Sequence, residues 1–147
     1  MRQTAFLLAS FVLVCGCDNF PRDPNHTLER IRSGAPMRVG VAASLDGKNT
    51  GVALLERLAD EEKSSLVLQK DSYEALLRDL ETGRLDAVVG SFAETSPWKR
   101  RVVLSNPVLG KEPGDQKTPV LRIARPKGEN AFIMKTDQLI EHAGARP

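Results

Sequence analysis

The sequence is poor in the side chains that most site chemistries require. Its 147 residues include two Cys, two His, one Trp and one Tyr, and the formal net charge is +2. The two His, His26 and His142, have no second metal ligand at a suitable spacing, so we expect no metal site. The net charge is nearly balanced, and the only basic cluster of the sequence is the triplet at residues 99–101. The sequence therefore gives no reason to expect nucleic acid as a partner.

Motifs of enzymes are missing as well. The chain has no Ser-His-Asp set, no paired catalytic carboxylates and no Walker-type phosphate loop in a convincing context. We therefore expect neither an enzymatic activity nor a cofactor. What the chain does have is 41% apolar and 27% charged residues, which is the balance of a folded protein, and a length that fits one domain.

The first 17 residues have the pattern of a secretion signal. Arg2 gives a positive start, and residues 5–14 form an uncharged, largely apolar run that is too short to span a bilayer, because spanning takes about 20 residues. The segment ends in Leu-Val-Cys-Gly-Cys at residues 13–17, which resembles the lipobox of bacterial lipoproteins. That resemblance implies that residues 1–16 are a signal peptide and that Cys17 carries the lipid. An ordinary cleaved signal is the alternative.

A lipid on Cys17 would anchor the chain in a membrane, since each buried methylene contributes about 0.8 kcal/mol. Asp18 follows directly, a placement that resembles an inner-membrane retention signal, so we expect a lipid-anchored location on the periplasmic side of the cell envelope. With Cys15 removed and Cys17 acylated, no thiol is left for a disulfide, a metal or a nucleophile. Residues 17–26, which include two prolines, then form the lipidated Cys and a tether.

Apolar runs alternate with helical patterns over the rest of the chain. The runs predict strands at residues 37–42, 66–68, 85–90 and 120–124. Apolar stripes at helical spacing predict helices between the strands and a last helix after the fourth strand, with Thr50, Asp71 and Asn130 as N-caps. This order predicts an α/β fold, a three-layer sandwich with a mainly parallel sheet. In such sheets ligands lie beyond the carboxyl ends of the strands.

The third of these strands stands in the most specific pattern of the chain. Residues 83–90 read Gly-Arg-Leu-Asp-Ala-Val-Val-Gly, Thr95 follows, and residues 104–107 read Leu-Ser-Asn-Pro, with Val-Gly-Val upstream at residues 39–41. At these spacings the series resembles lobe 1 of the family 3 extracellular solute-binding proteins, the two-lobed receptors of amino-acid ABC importers. The resemblance implies that residues 27–147 form a single lobe of the periplasmic-binding-protein-like fold.

The second lobe of that family has no clear counterpart in this sequence. In the family the chain leaves lobe 1, builds lobe 2, and returns on a strand that precedes a Lys-Gly turn and a final helix. Residues 120–124, followed by Lys127 and Gly128, resemble that return. The resemblance implies that lobe 2 is absent and that a loop at residues 110–117 stands in its place. A chain truncated early in lobe 2 is the competing explanation.

The ligand positions of the family are only partly matched. Its members hold the α-carboxylate of an amino acid with hydroxyl and backbone N–H groups after the third strand, and with an Arg three residues beyond the Thr. Ser91 and Thr95 match the hydroxyl positions, whereas Trp98 stands where the Arg should be. We take Ser91, Phe92, Thr95 and Trp98 as candidate ligand-binding residues. The alternative is that Phe92 and Trp98 pack against the sheet and that the two hydroxyls cap a turn.

The resemblance implies a membrane-anchored lipoprotein related to the substrate-binding proteins of ABC transporters, associated with uptake or sensing of a small polar solute such as an amino acid. A micromolar receptor realises about −8 kcal/mol, and half of its contacts would leave about −4 kcal/mol, which is millimolar binding. A lone lobe with a degraded site would therefore need an opposing wall from a second copy, an ABC permease or another envelope protein. The alternative is a non-transport interaction module whose former ligand face contacts a protein partner.

Overall fold

The computed structural model describes residues 23–144 of the chain. The expected signal peptide, Cys17 and Asp18 lie outside the described residues. The helices are α1 (Thr27–Arg32), α2 (Thr50–Glu61), α3 (Tyr73–Glu81) and α4 (Asn130–Gly144), and a 3-10 helix spans Pro97–Arg100. The strands are β1 (Met37–Ala42), β2 (Leu66–Asp71), β3 (Ala87–Phe92), β4 (Val102–Leu104) and β5 (Val120–Pro126). Within residues 23–144, no helix has the length and apolar character needed to cross a bilayer.

The five strands form one mixed sheet in the order β2-β1-β3-β5-β4. β1 runs parallel to β2 and to β3, whereas β5 is antiparallel to β3 on one side and to β4 on the other. Four of the described strands therefore point the same way and β5 is reversed. The mainly parallel sheet expected from the sequence is confirmed.

Helices cover both faces of this sheet. α1, α2 and α4 pack on one face, where their apolar side chains share a core with β1 and β3. α3 packs on the other face, which is filled by Leu76, Leu77, Leu80, Val88, Phe92 and Ala124. α2 comes so close to β3 at Gly51 that a Cβ there would lie 2.7 Å from Cγ1 of Val89. The expected three-layer α/β sandwich is thus confirmed.

The expected N-caps of three helices are misplaced by one residue, and Asn130 is the first residue of α4 rather than its cap. α2 is capped by Asn49 rather than Thr50, because the Asn49 side chain accepts a hydrogen bond from the Val52 N–H at 3.1 Å. α3 is capped by Ser72 rather than Asp71, because Asp71 still pairs with β1 in the sheet. The second strand is therefore longer than expected, and Tyr73 begins α3 beside the carboxyl ends of the strands.

The strand pattern of the sequence also missed β4 and placed β3 early. β3 begins at Ala87 rather than at residue 85 and continues to Phe92, so Ser91 and Phe92 belong to the strand itself. β4 has only three residues, Val-Val-Leu directly after the basic triplet, and so short an apolar run does not by itself indicate a strand. Its position depends on pairing with β5, which is an interaction between distant parts of the chain.

A buried carboxylate ties the beginning of α1 to the turn before α4. Glu129 is fully buried and accepts hydrogen bonds from the backbone N–H groups of Asn25, at 2.6 Å, and Thr27, at 2.9 Å. Asp23 accepts a hydrogen bond from the backbone N–H of Ala131 at 3.2 Å. The last four residues of the expected tether, 23–26, therefore lie against the folded lobe.

The segment between β4 and β5 contains the loop at residues 110–117, which we call the crossover loop. It holds no helix or strand, and both strands that it connects belong to the same sheet. After the loop, β5 enters the sheet between β3 and β4. The crossover loop thus connects the two strands at the carboxyl end of β3, where the candidate ligand-binding residues lie.

Candidate functional site

A groove of about 420 Å³ opens at the carboxyl end of β3. It is lined by Tyr73, Ser91, Phe92, Ala93, Thr95, Ser96, Pro97 and Trp98. All four residues that the sequence predicts for a ligand site lie in this lining. The groove is where ligands of parallel α/β sheets are expected, beyond the carboxyl ends of the strands.

The floor of the groove is a pair of packed aromatic rings. Phe92 is 4% exposed, and its ring meets that of Tyr73 edge to face, with centroids 5.4 Å apart and planes at 78°. Gly90 makes room for this pair, since a Cβ there would lie 2.6 Å from Cε1 of Tyr73 and 2.8 Å from Cε2 of Phe92. Phe92 therefore packs into the core and also forms part of the floor of the groove.

One wall of the groove is Trp98, held in place by the 3-10 helix and by a cation. Ser96 caps this short helix, its Oγ accepting a hydrogen bond from the Trp98 N–H at 3.4 Å. The guanidinium of Arg101 lies 5.4 Å from the centroid of the indole ring and forms an ion pair with Glu81. Trp98 itself is half-buried, so one part of its ring is free to meet a ligand.

Two backbone donors at this end of the sheet, the N–H groups of Ser91 and Thr95, are already used within the chain. The N–H of Ser91 donates to the hydroxyl oxygen of Tyr73 at 2.8 Å. The N–H and the Oγ1 hydroxyl of Thr95 both donate to the carbonyl oxygen of Gln116 in the crossover loop, at 3.1 and 3.2 Å. Each such hydrogen bond contributes about 1 kcal/mol net. A ligand carboxylate would have to displace them.

The crossover loop presents the Gln116 carbonyl from a stiff turn. The Asp115 carboxylate accepts hydrogen bonds from the backbone N–H groups of Lys117 and Thr118, at 2.8 and 2.6 Å, and from the Thr118 hydroxyl at 3.0 Å. These bonds, first of all that from the Thr118 N–H, hold the pKa of the Asp115 carboxyl below its ordinary value. Asp115 is therefore ionised at neutral pH and keeps the turn closed.

A buried cation lies against the groove residue Phe92, but its donors are occupied. Arg122 on β5 is 1% exposed, and its guanidinium donates to the carbonyls of Phe92, at 3.1 Å, and Ser105, at 2.7 Å. It also pairs with Glu112 of the crossover loop, and Glu94 lies 3.6 Å away. A guanidinium with two carbonyl and two carboxylate partners has little capacity left for a ligand.

The groove lining carries no charged side chain within the described part of the chain. Lys99, which follows Trp98, is held by an ion pair with Glu94. The polar groups of the groove lining are neutral hydroxyls and the indole N–H, and Ser91, which carries one of these hydroxyls, is exposed. Residues 23–144 also contain no group of three or more His, Cys, Asp or Glu that could hold a metal ion.

Sequence reasoning missed three residues that shape the site. Tyr73 was assigned to the apolar stripe of a helix, although its position directly after the second strand places it at the ligand end of the sheet. Arg122 was hidden in a strand pattern, where a charged residue among apolar ones was the available signal. Gln116 acts through its backbone carbonyl, and no side-chain pattern could have revealed it.

No protein-family model and no curated protein matches the sequence, but solved structures match the fold. Domain 1 from TmArgBP, in its arginine-bound form, matches with a TM-score of 0.63 and 19% identity, over 78% of this chain and 97% of that chain. The ancestral amino acid-binding protein AncCDT-1, a precursor of cyclohexadienyl dehydratase, gives 0.62 and 13%, over 79% and 92%. The L-cystine solute receptor of Neisseria gonorrhoeae, in its unliganded open conformation, gives 0.59 and 12%, over 78% and 89%.

These neighbours are amino-acid solute-binding proteins or their domains. The chain therefore has the fold of one lobe of such a protein, as the sequence resemblance implies. It covers nearly the full length of the TmArgBP domain, which is what a single lobe would do.

Proposed function

We propose that this protein is a substrate-binding lobe that takes a small polar solute into the groove at the end of β3. The observation that carries the proposal is the convergence of Ser91, Phe92, Thr95 and Trp98 on one groove, on a lobe whose structural neighbours bind small solutes. Phe92 and Trp98 supply apolar contact, and the neighbouring hydroxyls supply directional hydrogen bonds. That combination is typical of small-molecule pockets.

A single lobe of this fold can hold a ligand in a crystal, as the arginine-bound form of domain 1 from TmArgBP demonstrates for that protein. This supports solute binding by the present chain without a second lobe. Such binding should still be weaker than that of a two-lobed receptor, because a lone lobe supplies only about half of the contacts. A second copy, an ABC permease or another envelope protein would then supply the opposing wall.

We assign the N-terminal segment to membrane anchoring. In this proposal residues 1–16 are the signal peptide, Cys17 carries the lipid, and the lobe of residues 27–147 faces the periplasm, with Asp18 favouring the inner membrane. The connection of β4 to β5 within one sheet supports the proposal that the crossover loop replaces lobe 2. A solute-binding lobe held at the membrane is suited to uptake or sensing.

Binding rather than catalysis is the role that the groove favours. One structural neighbour is a precursor of a dehydratase, so the fold itself does not decide between the two. General acid–base catalysis needs a group that titrates near the working pH, such as an imidazole or a carboxylate in contact with substrate. The lining of the groove offers hydroxyls, an indole and backbone groups instead.

Titration of the intrinsic fluorescence tests the proposal directly, because Trp98 is the only Trp of the chain and lines the groove. The probes are the twenty amino acids together with small sugars, polyols and amides. We expect at least one of them to change the emission of Trp98 in a saturable manner. Ser91→Ala should weaken that binding about fivefold, the value of one hydrogen bond of about 1 kcal/mol.

Ser65→Ala is the matched control, since Ser65 is exposed at the opposite end of the sheet and should leave the affinity unchanged. If no probe changes the emission and light scattering detects no dimer, solute binding is contradicted. Crosslinking from position 98 in cells then tests the second hypothesis, a protein partner at the same face. The structure gives that hypothesis less support, because Phe92 is buried and the most exposed large apolar residues, Val67, Leu68, Leu109 and Met134, are not in the groove lining.

A further inference from the structure

We infer that the crossover loop takes up the Thr95 donors beside the groove, so that the groove accepts an uncharged polar solute and not a free carboxylate. The inference rests on the proposed function, since it names the class of solute that the same groove would take. It departs from the amino-acid ligands of the structural neighbours, and it follows from how this chain uses its own donors.

The N–H groups of Ser91 and Thr95 and the Thr95 hydroxyl, which could serve an anion, are already bonded within the chain. The Gln116 carbonyl accepts from both the N–H and the hydroxyl of Thr95, in the way that one oxygen of a ligand carboxylate could. The hydroxyl oxygen of Tyr73 accepts from the N–H of Ser91. A carboxylate approaching Thr95 would meet the Gln116 carbonyl oxygen, which repels it, in place of the two Thr95 donors.

Within residues 23–144, no cationic side chain lines the groove to compensate a carboxylate. Trp98 stands in the lining three residues after Thr95, Lys99 is paired with Glu94, and Arg101 is paired with Glu81 while it lies over the indole ring. The buried guanidinium of Arg122 is occupied by two carbonyls and by Glu112. A carboxylate bound here would lose water without gaining a charged partner.

The crossover loop is fastened at two points. Glu112 pairs with the buried Arg122, and Asp115 closes the turn that presents the Gln116 carbonyl. Removing Glu112 would leave a buried cation with one carboxylate fewer, which makes the attachment costly to break. The loop is therefore held against the groove residue Thr95.

The groups that stay open define the solute. They are the Ser91 hydroxyl, the remaining hydroxyl hydrogen of Tyr73, the Ser96 hydroxyl and the indole of Trp98, above the ring of Phe92. All are uncharged, and each hydroxyl can both donate and accept. This set fits a neutral molecule with a flat or ring-shaped face and hydroxyl or carboxamide groups at its edge.

Matched pairs of probes test the solute class through Trp98 emission. Each pair has the same ring and differs in charge: nicotinamide against nicotinate, and glucose against glucuronate. We expect the neutral member of at least one pair to bind about tenfold to a hundredfold more tightly than its carboxylate partner, because an unpaired buried group costs that much in affinity. A carboxylate that binds as tightly as its neutral partner, or more tightly, would overturn the inference.

A loosened loop tests whether the crossover loop is the cause. Glu112→Gln with Asp115→Asn should gain affinity for the carboxylate members by about tenfold, because Thr95 and Arg122 are released for a ligand. Glu56→Gln with Glu141→Gln is the charge-matched control, since it removes the same two negative charges at exposed positions away from the groove. Asp115→Asn alone serves if the double variant does not fold. Equal carboxylate affinities in the loosened and control proteins would overturn the inference.

Hydrogen exchange of the Thr95 amide separates this inference from the proposed function. Protection in the wild type that is lost in the loosened variant supports the loop as the partner of the Thr95 donors, and rapid exchange in the wild type contradicts it. If no probe of either charge binds any of the proteins, the proposed function fails and the solute class falls with it. If the carboxylates bind and the neutral probes do not, solute binding stands and only this inference fails.

Discussion

Asp86 lies in the middle of the pattern that carries the family resemblance, yet its contacts are structural. The carboxylate is 1% exposed and accepts four hydrogen bonds, one from the guanidinium of Arg30 and three from the backbone and side chain of Arg38. Asp86, which directly precedes β3, thereby links this strand to Arg30 of α1 and Arg38 of β1. At the scale of the residue, Asp86 therefore stabilises the attachment of α1 and β1 to β3 and is not part of the groove lining.

Asp86→Asn should destabilise the protein by about 3 kcal/mol, because the two Arg side chains lose the charge of their common partner in a mostly buried site. Urea unfolding followed by circular dichroism measures the change. Asp60→Asn, on the exposed side of α2, is the control and should shift the free energy of unfolding by less than about 0.5 kcal/mol. Similar unfolding midpoints for the two variants would show that the Asp86 network contributes nothing.

The residues of the site were predictable to different degrees. Ser91, Thr95 and Trp98 could be placed because they stand at fixed distances from a recognisable strand. The partners that occupy the site could not, because Gln116 contacts Thr95 through its main chain, 21 positions away. A pattern of side chains carries no information about which carbonyl oxygen will reach a given hydroxyl.

At the scale of the element, the N-terminus of α1 is capped by a residue that is distant in sequence. Its N-cap residue, His26, has a left-handed backbone with φ of 47° and makes no capping bond with its side chain. Glu129 takes over this role, since its carboxylate accepts from the N–H groups of Asn25 and Thr27. A negative charge at a helix N-terminus is also favoured by the helix dipole. The six-residue helix thus depends on a residue about a hundred positions later.

Glu129→Ala should destabilise the protein by about 3 kcal/mol, since it leaves two backbone donors without their charged acceptor. Glu129→Gln should cost about half as much, because its amide oxygen can still accept. Hydrogen exchange of the Thr27 amide, together with urea unfolding, measures both effects. Glu141→Ala, exposed on α4, is the control. Unchanged protection of Thr27 in Glu129→Ala would contradict the capping role.

The elements themselves were largely predictable, and the exceptions have a common cause. The alternation of apolar strands with amphipathic helices indicated β1, β2, β3, β5 and the helices between them. β4 was missed because its three residues take their conformation from pairing with β5. The caps of α2 and α3 were misplaced by one residue, because the choice between Asn49 and Thr50 depends on which oxygen reaches the N–H of Val52.

At the scale of the whole molecule, the fold was predictable because it rests on the order of its elements. The match to the TmArgBP domain covers 97% of the length of that domain. The position of the crossover loop could not be predicted. The conformation of residues 110–117 depends on the ion pair of Glu112 with Arg122, on the turn that Asp115 closes, and on the hydrogen bond from Thr95 to the Gln116 carbonyl. Sequence therefore indicated where a groove would be, but not that the Thr95 donors beside it are bonded to Gln116.

Attachment of the whole molecule to a membrane gives a further prediction. Cys17→Ser should abolish labelling by a palmitate analogue in cells and move the protein from the membrane fraction to the soluble periplasmic fraction, because the acylated thiol is lost. Cys15→Ser is the control, since this residue belongs to the segment expected to be removed, and it should leave labelling intact. Labelling that persists in Cys17→Ser would contradict the lipid anchor.

The reversed strand β5 has a consequence for how the protein is made. It is the last strand of the chain, yet it occupies an interior position of the sheet, and β4 pairs with β5 alone among the described strands. While a ribosome has yet to release residues 120–126, β3 therefore presents a bare edge and β4 has no neighbour. A chain in which β5 has not yet joined the sheet therefore exposes unpaired strand edges, which favours aggregation until residues 120–126 are in place.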